Sequence, residues 1–170
     1  MRDPLERPED AIRRVYAYVA YRIGPGPDAE DVTSATIERA IRYRASYRRA
    51  EGSPGAWLIG IAKRCLADDA IARSWEIPSD VELECEDVPD DAAMRLDLGR
   101  AVAALDDRPR ELVALRYGAD LSSREIGRIL EMSPGAVDVA LHRALKDLRA
   151  DLETPATARD ASTERASRPA

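Results

Sequence analysis

Residues 76–91 read EIPSDVELECEDVPDD, with two prolines and seven acidic side chains between Asp80 and Asp91. Pro78 and Pro89 deny this stretch a continuous helix, and like charges at such density hold a chain extended. Any fold must therefore be built in blocks on either side of it. The strip reads as a linker over residues 76–91, either a solvated spacer or a segment whose charge has a task of its own.

Both flanks read as helix. The chain has 170 residues, no Phe and only 5% aromatic residues, so Ala, Leu, Ile and Val must fill its interior. The fold class expected is all-α, with two small helical domains at residues 8–75 and 92–152. A tail at 153–170 is too poor in apolar residues to fold alone and is expected to be disordered. In the first block a helix runs from about Pro8 to Arg22, with Ile12, Val15, Tyr16, Val19 and Ile23 on its inner stripe, and GPGP at 24–27 ends it. Asp28 stands as the cap of a second helix that buries Val32, Thr36, Ile37, Ala40 and Ile41. Ser53 and Pro54 start a third, reaching about Arg73 and burying Trp57, Leu58, Ile61, Ala62, Cys65 and Leu66. In the second block Leu96, Leu98, Val102 and Leu105 mark one helix. Leu112, Val113, Leu115 and Tyr117 mark the next, closed by Gly118.

LSSREIGRIL then offers Ser122 and Glu125 as a capping box ahead of an inner face of Ile126, Ile129 and Leu130. A turn of three residues, EMS, leads into SPGAVDVALHRALKDLR and shares its Ser133, a good N-cap, while Pro134 fits the first helical position. A short capped helix, a tight turn and a second capped helix form the helix-turn-helix arrangement, whose second helix can enter the major groove. A helical corner in any all-α protein has the same pattern. On a wheel at about 100° per residue, Val137, Leu141, Ala144, Leu145, Leu148 and Leu152 face inward. Gly135, Val139, His142, Arg143, Lys146 and Arg149 face outward. That outer face is basic from its third turn, whereas Ala136, Asp138, Val139 and Ala140 in the first two turns offer little to base edges.

A net charge of −6 argues against nucleic acid only until it is resolved along the chain. Residues 1–76 carry 13 Lys and Arg against 12 Asp and Glu, residues 77–107 carry 2 against 10, and residues 108–152 carry 8 against 7. The acidity belongs to one segment, which leaves the flanks free to hold basic faces. An enzyme is not expected. The one histidine, His142, lies on an outward helical face with no nucleophile beside it in sequence, and there is no Gly-rich phosphate loop. No catalytic residue, cofactor or small-molecule substrate follows. Cys65 and Cys85 fit neither a disulfide framework nor a metal site. No run reaches the roughly 18 apolar residues of a membrane span, and MRDPLERPED lacks a signal-peptide core, so the expectation is a cytoplasmic protein without membrane insertion.

Four stretches, in order over residues 10–152, resemble the extracytoplasmic-function group of bacterial RNA polymerase sigma factors. DAEDVTSATIERAIR, from Asp28, resembles the helix of domain 2 that docks on the polymerase clamp. GSPGAWLIGIAKRCLADD, from Gly52, resembles the promoter-melting helix, with Pro54, Trp57-Leu58, Ile61-Ala62 and Asp68 where the family shows Pro, Trp-Leu, Ile-Ala and Asp. AVAALDDRPRELVALRYGADLSSREIGRIL, from Ala101, and SPGAVDVALHRALKDLRADL resemble domain 4, which reads the minus-35 element.

The resemblance implies a non-enzymatic factor whose partners are core RNA polymerase and promoter DNA, with an anti-sigma factor as a further partner common in the family. It places Asp31, Val32, Ser34, Ala35, Glu38 and Arg39 on the polymerase. Tyr47, Arg48, Arg49, Trp57, Lys63, Arg64 and Arg73 fall at the minus-10 element, with Tyr47 stacking on a flipped base and Arg48 and Arg49 holding phosphates. Arg124, Ser133, Gly135, Asp138, Val139, His142, Arg143 and Lys146 fall at the minus-35 element. In the family the linker threads toward the active-centre cleft and RNA exit path, and the charge of residues 77–107 suits a mimic of RNA.

The chain departs from the family pattern in places. Ser34 and Ala35 stand where Gln and Glu are common, Ile37 where Phe is, and Ile71 and Ala72 where arginines are often found. Ala136, Asp138, Val139 and Ala140 replace Thr, Lys or Arg, Ser and Arg. These departures motivate a second reading, a sigma-like protein that binds polymerase or a regulator without initiating on its own. A plain helix-turn-helix repressor would leave residues 28–73 unexplained. With so few polar groups near the bases, the last helix is expected to rely on its N-terminus against phosphate and on DNA shape.

Overall fold

The computed structural model describes residues 3–50, 52–73 and 98–153. The expected linker at 76–91 and the tail beyond Glu153 lie outside the described residues, as do Cys85 and Leu96. The elements are α1 (Pro8–Ile23), α2 (Pro27–Tyr43) followed by a 3-10 turn (Arg44–Ser46), α3 (Pro54–Arg73), α4 (described over 98–104), α5 (Asp107–Val113), which runs into a π turn (Ala114–Gly118), α6 (Ser123–Leu130) and α7 (Pro134–Glu153). No strand occurs among the described residues.

Local chemistry sets most of these boundaries. The Ala56 and Ala136 N–H groups donate to the Ser53 and Ser133 hydroxyls at 3.2 Å each, and a proline follows each cap, so α3 and α7 begin in the same way. The start of α2 differs from expectation. Gly26 occupies the cap position without a side-chain bond and Pro27 takes the first helical position, so Asp28 sits inside the first turn, where its charge complements the helix dipole.

The buried faces correct the sequence reading in detail. Helix α1 buries Ala11, Val15, Tyr18 and Val19, while Ile12 and Ile23 are 45% and 42% exposed. Its inner stripe turns toward Tyr18, whose hydroxyl finds a buried partner in the second half of the chain. Helix α2 buries Ala29, Val32, Thr33, Thr36 and Ala40 and leaves Ile41 exposed. The two threonine hydroxyls donate to the carbonyls of Ala29 and Val32 at 2.6 and 2.7 Å, so neither enters the core unsatisfied. Ile59 joins the buried face of α3, and Tyr117, Leu145 and Leu152 are exposed rather than packed inward.

The apolar faces of the two helical halves close on each other. Val15 and Val19 of α1, Leu58 and Ile59 of α3, Leu112 of α5, Leu115 of the π turn, Ile126 of α6 and Val137 of α7 belong to one continuous cluster. The π turn makes this approach possible. It buries Ala114, Leu115 and Gly118, and a Cβ added at Gly118 would lie 2.9 Å from both Cα and N of Tyr18. The backbone of α1 thus rests on bare glycine. Arg14 closes the edge of the seat, donating to the carbonyls of Ala119 at 2.6 Å and Asp120 at 3.3 Å. A smaller cluster joins Ala101 and Val102 of α4 to Leu148 of α7, with Tyr21 and Leu105 packed against it.

Candidate nucleic-acid interface

The helix-turn-helix is built from α6 and α7. Its entry is the expected capping box: the Glu125 N–H donates to the Ser122 hydroxyl at 3.3 Å, and the Glu125 carboxylate accepts from the Ser122 N–H at 2.9 Å. The turn depends on two special positions. Glu131 adopts a left-handed conformation with φ +56°, and the Met132 N–H donates to the Gly127 carbonyl at 2.8 Å. A Cβ on Gly127 would lie 2.5 Å from the Met132 carbonyl oxygen, so the turn folds back onto a position that has no room for a side chain. Arg108 reaches the last turn of α6 and donates to the Leu130 carbonyl at 3.1 Å.

Ser133, Gly135, Val139, His142, Arg143 and Lys146 of α7 are exposed, as are Arg124 and Arg128 of α6. Asp138 is exposed too, but its carboxylate accepts a hydrogen bond from the Ser123 hydroxyl. Its first task is therefore to tie α7 to the start of α6, which accounts for a carboxylate on a face otherwise suited to phosphate.

The segment before α3 differs from expectation at one residue. Tyr47 is only 4% exposed, donates its hydroxyl to the Gly52 carbonyl at 3.0 Å and meets Trp57 edge-on with ring centroids 5.6 Å apart. It braces the loop from within, so its ring is not a free stacking platform in this arrangement. Trp57 is half-buried, and Arg48 and Arg49 are exposed. A cleft of about 280 Å³ lies between Tyr47, Arg48 and Trp57 on one side and Glu125, Arg128 and Ile129 of α6 on the other. Ser53, next to the lining residue Gly52, donates to the Glu125 carboxylate. Burial opposes the charge of Glu125, but the hydrogen bonds from Ser122 and Ser53 outweigh it and hold the carboxyl below its ordinary range.

On α2 the expected polymerase residues separate. Asp31, Ser34 and Glu38 are exposed and share one stripe, with Ala35 half-buried beside them. Val32 is 3% exposed and belongs to the core, one helical position away from that stripe, so it supports the surface from below rather than meeting a partner. Arg39 pairs with Asp68 of α3 at 2.7 Å and lines a cleft of about 390 Å³ together with Arg42, Tyr43, Ile61 and Arg64. Arg73 is the last residue of α3, and its side chain lies outside the described residues.

The sequence reading missed Glu111. It is 6% exposed, accepts from the Tyr18 hydroxyl at 3.1 and 3.2 Å, and pairs with Arg22 Nε and Lys63 Nζ at 2.9 Å each. Lys63, expected on DNA, is thus engaged by a carboxylate of the opposite half. Burial and then the charge of Glu111 push the Tyr18 hydroxyl far above its ordinary value. Burial works against the charge on Arg22, but the hydrogen bond to Asp107 at 2.6 Å and the charge of Glu111 overcome it and raise its pKa. That same hydrogen bond from Arg22 holds Asp107 low. A hint was present in RELVALRY, where a glutamate directly precedes Leu112 and Val113 and stands four residues before Leu115. A carboxylate in such a stripe needs a partner, but nothing local names one.

Residues 9–76 match Sigma-70 region 2 and residues 95–148 match Sigma-70, region 4. The chain is 34% identical over 140 residues to the ECF RNA polymerase sigma factor SigF of Caulobacter vibrioides, covering 79% of this chain and 77% of that protein. It is 31% identical over 143 residues to the ECF RNA polymerase sigma factor BldN of Streptomyces coelicolor, covering 79% of this chain and 54% of BldN, so it spans about half the length of that relative. Its fold is similar to that of the sigma factor RpoE in a co-crystal structure with the anti-sigma factor NepR from Bartonella quintana, with a TM-score of 0.65 at 19% identity over 85% of this chain and 92% of that one. The two regions fall in this order on the two helical halves, and the identity to SigF runs through both: the chain belongs to the extracytoplasmic-function group of RNA polymerase sigma factors.

Proposed function

We propose that this chain binds core RNA polymerase, directs it to promoters and helps open the DNA, with residues 8–75 and 92–152 dividing the work. The observation that carries this reading is the helix-turn-helix closed at Gly127, which leaves Ser133, Gly135, His142, Arg143 and Lys146 on an exposed face. On α2, Asp31, Ser34, Ala35, Glu38 and Arg39 dock on polymerase. Around α3, Arg48, Arg49, Trp57, Lys63, Arg64 and Arg73 hold the minus-10 element. On the minus-35 element, Arg124, Arg143 and Lys146 contact phosphate, and the N-terminus of α7 at Ser133 and Gly135 presents backbone N–H groups to it. Val139 and His142 lie nearest the bases. By likeness to the RpoE fold, seen with NepR, an anti-sigma factor is a further partner.

Run-off transcription with purified core polymerase on a promoter library tests this. The expected result is transcript from a defined subset of promoters. Binding to core without any promoter-dependent transcript would instead support the second reading, an interaction protein that does not initiate on its own, which the sparse polar groups at Ser34, Ala35, Val139 and Ala140 favour.

A further inference from the structure

We infer that the cleft between the end of α2 and the middle of α3 is a nucleotide site, in which Tyr43 stacks on the base of a nucleoside diphosphate or triphosphate and Arg39, Arg42 and Arg64 hold its phosphates. The site itself needs nothing from the sigma-factor reading. Its consequence rests on that reading: Arg39 is assigned to polymerase and Arg64 to the minus-10 element, so a bound nucleotide covers one residue of each surface.

Spacing brings these residues together. Arg39, Arg42 and Tyr43 stand at i, i+3 and i+4 on α2, and Ile61 and Arg64 at i and i+3 on α3, so each set shares one face of its helix. The two faces line the cleft of about 390 Å³, a volume within the range of small-molecule sites. Ile61 is 8% exposed and gives the cleft an apolar contact, whereas Tyr43 leaves 54% of its surface to solvent. Tyr47 has its ring against Trp57 and its hydroxyl on the Gly52 carbonyl, so Tyr43 is the tyrosine of this region whose ring is open to a ligand.

Charge selects the ligand. In a chain of net charge −6, three guanidinium groups line one cleft. Among the described residues Arg42 and Arg64 have no ion-pair partner, and Arg39 has Asp68 at 2.7 Å, with side chains 39% and 60% exposed. A pair so exposed is held weakly and can exchange its carboxylate for a phosphate. A backbone phosphodiester carries a single charge, which fewer arginines satisfy. A terminal diphosphate carries about three charges, and three arginines around one cleft can neutralise it. Stacking on the phenol ring adds to this and tolerates any base, since every base has a π-face.

Isothermal titration calorimetry of the full-length chain with ATP and magnesium, and separately with adenosine and with inorganic tripolyphosphate, reads the site. ATP should bind at about 100 μM or tighter, and adenosine and tripolyphosphate, each keeping one half of the contacts, at least about fivefold more weakly. Tyr43→Ala and Arg42→Gln should each weaken ATP at least about fivefold. Both side chains are exposed, so both variants should keep the circular dichroism and urea midpoint of the parent. Arg13→Gln removes the same charge from an exposed position on α1 and should leave ATP binding unchanged. ATP at about ten times the parent's Kd should lower the affinity for core polymerase about tenfold in the parent and no more than about threefold in Tyr43→Ala.

No binding of ATP at about 1 mM, tripolyphosphate bound as tightly as ATP, or equal losses in Arg13→Gln and Arg42→Gln would overturn the nucleotide site. A labelled single-stranded oligonucleotide that loses affinity in Tyr43→Ala while ATP fails to bind would give the cleft to the promoter strand and overturn it as well. Core affinity that ATP leaves unmoved, with ATP bound, would overturn the competition. If the sigma-factor reading itself is wrong, the polymerase arm is blank with and without ATP, whereas the calorimetry still decides the site.

Discussion

Replacing Gly127 by alanine sets two effects of opposite sign against each other. Inside a helix, Ala is favoured over Gly by about 1 kcal/mol. The new Cβ, however, would lie 2.5 Å from the Met132 carbonyl oxygen, a backbone atom that cannot rotate away as a side chain could. Relief requires the turn to shift, which stretches the 2.8 Å hydrogen bond from Met132 N–H to the Gly127 carbonyl and carries the start of α7 with it. Overpacking of this kind costs about 1–3 kcal/mol, and the weakened hydrogen bond about 1 kcal/mol more. The net is a loss of about 1–3 kcal/mol after the gain in propensity is subtracted, or roughly 2–12 °C in Tm for a chain of this size. Urea unfolding followed by far-ultraviolet circular dichroism gives the stability. Affinity for minus-35 duplex should fall in parallel, since α7 is the element displaced. A variant as stable as the parent, or more stable by the propensity increment alone, would show that the turn does not close tightly on this glycine.

Other outcomes follow from the same geometry. Arg143→Ala and Lys146→Ala should each weaken minus-35 binding with little change in preferred sequence, and each should make the slope of log affinity against log salt shallower by about 1; a changed sequence preference would mean that they read bases. Glu131→Gly relieves a left-handed residue in the turn and should raise stability by about 0.5–1 kcal/mol, measured as a shift in the urea midpoint with unchanged slope. Because the carboxyls of Glu125 and Asp107 are held below their ordinary values, the folded chain binds fewer protons than the unfolded one near those values. Their stabilisation is complete above an ordinary Glu value of 4.5 and is lost as pH falls through the lowered native values, so urea midpoints should drop on acidification, and Glu125→Gln should flatten part of that drop.

What the sequence disclosed and what it hid divide along the range of the interactions. The starts of α3, α6 and α7 were legible because a cap, its proline and its reciprocal glutamate lie within four residues of one another. The order of the two halves and the helix-turn-helix followed from these and from the resemblance. The inner stripe of α1 was misread at Ile12 and Ile23 because Tyr18 turns inward, and it does so for a carboxylate 93 residues away. Val32 and Tyr47 looked available to partners, since residue type and helical register do not say which polar contacts hold a loop closed. Glu111 and Gly118 carry the largest long-range consequences and had the faintest local signatures. Asp138 looked like a misfit only until Ser123 supplied its partner.

The shared core has a consequence for how long the chain survives in a cell. Val15, Leu58, Leu115 and Ile126 cover one another across the two halves, so a chain that swings open without polymerase to receive it bares a surface fit for chaperones, proteases and its own copies. Any form in which that face is bared would be the one that aggregates or is degraded, so the lifetime of the chain in a cell depends on keeping the face covered.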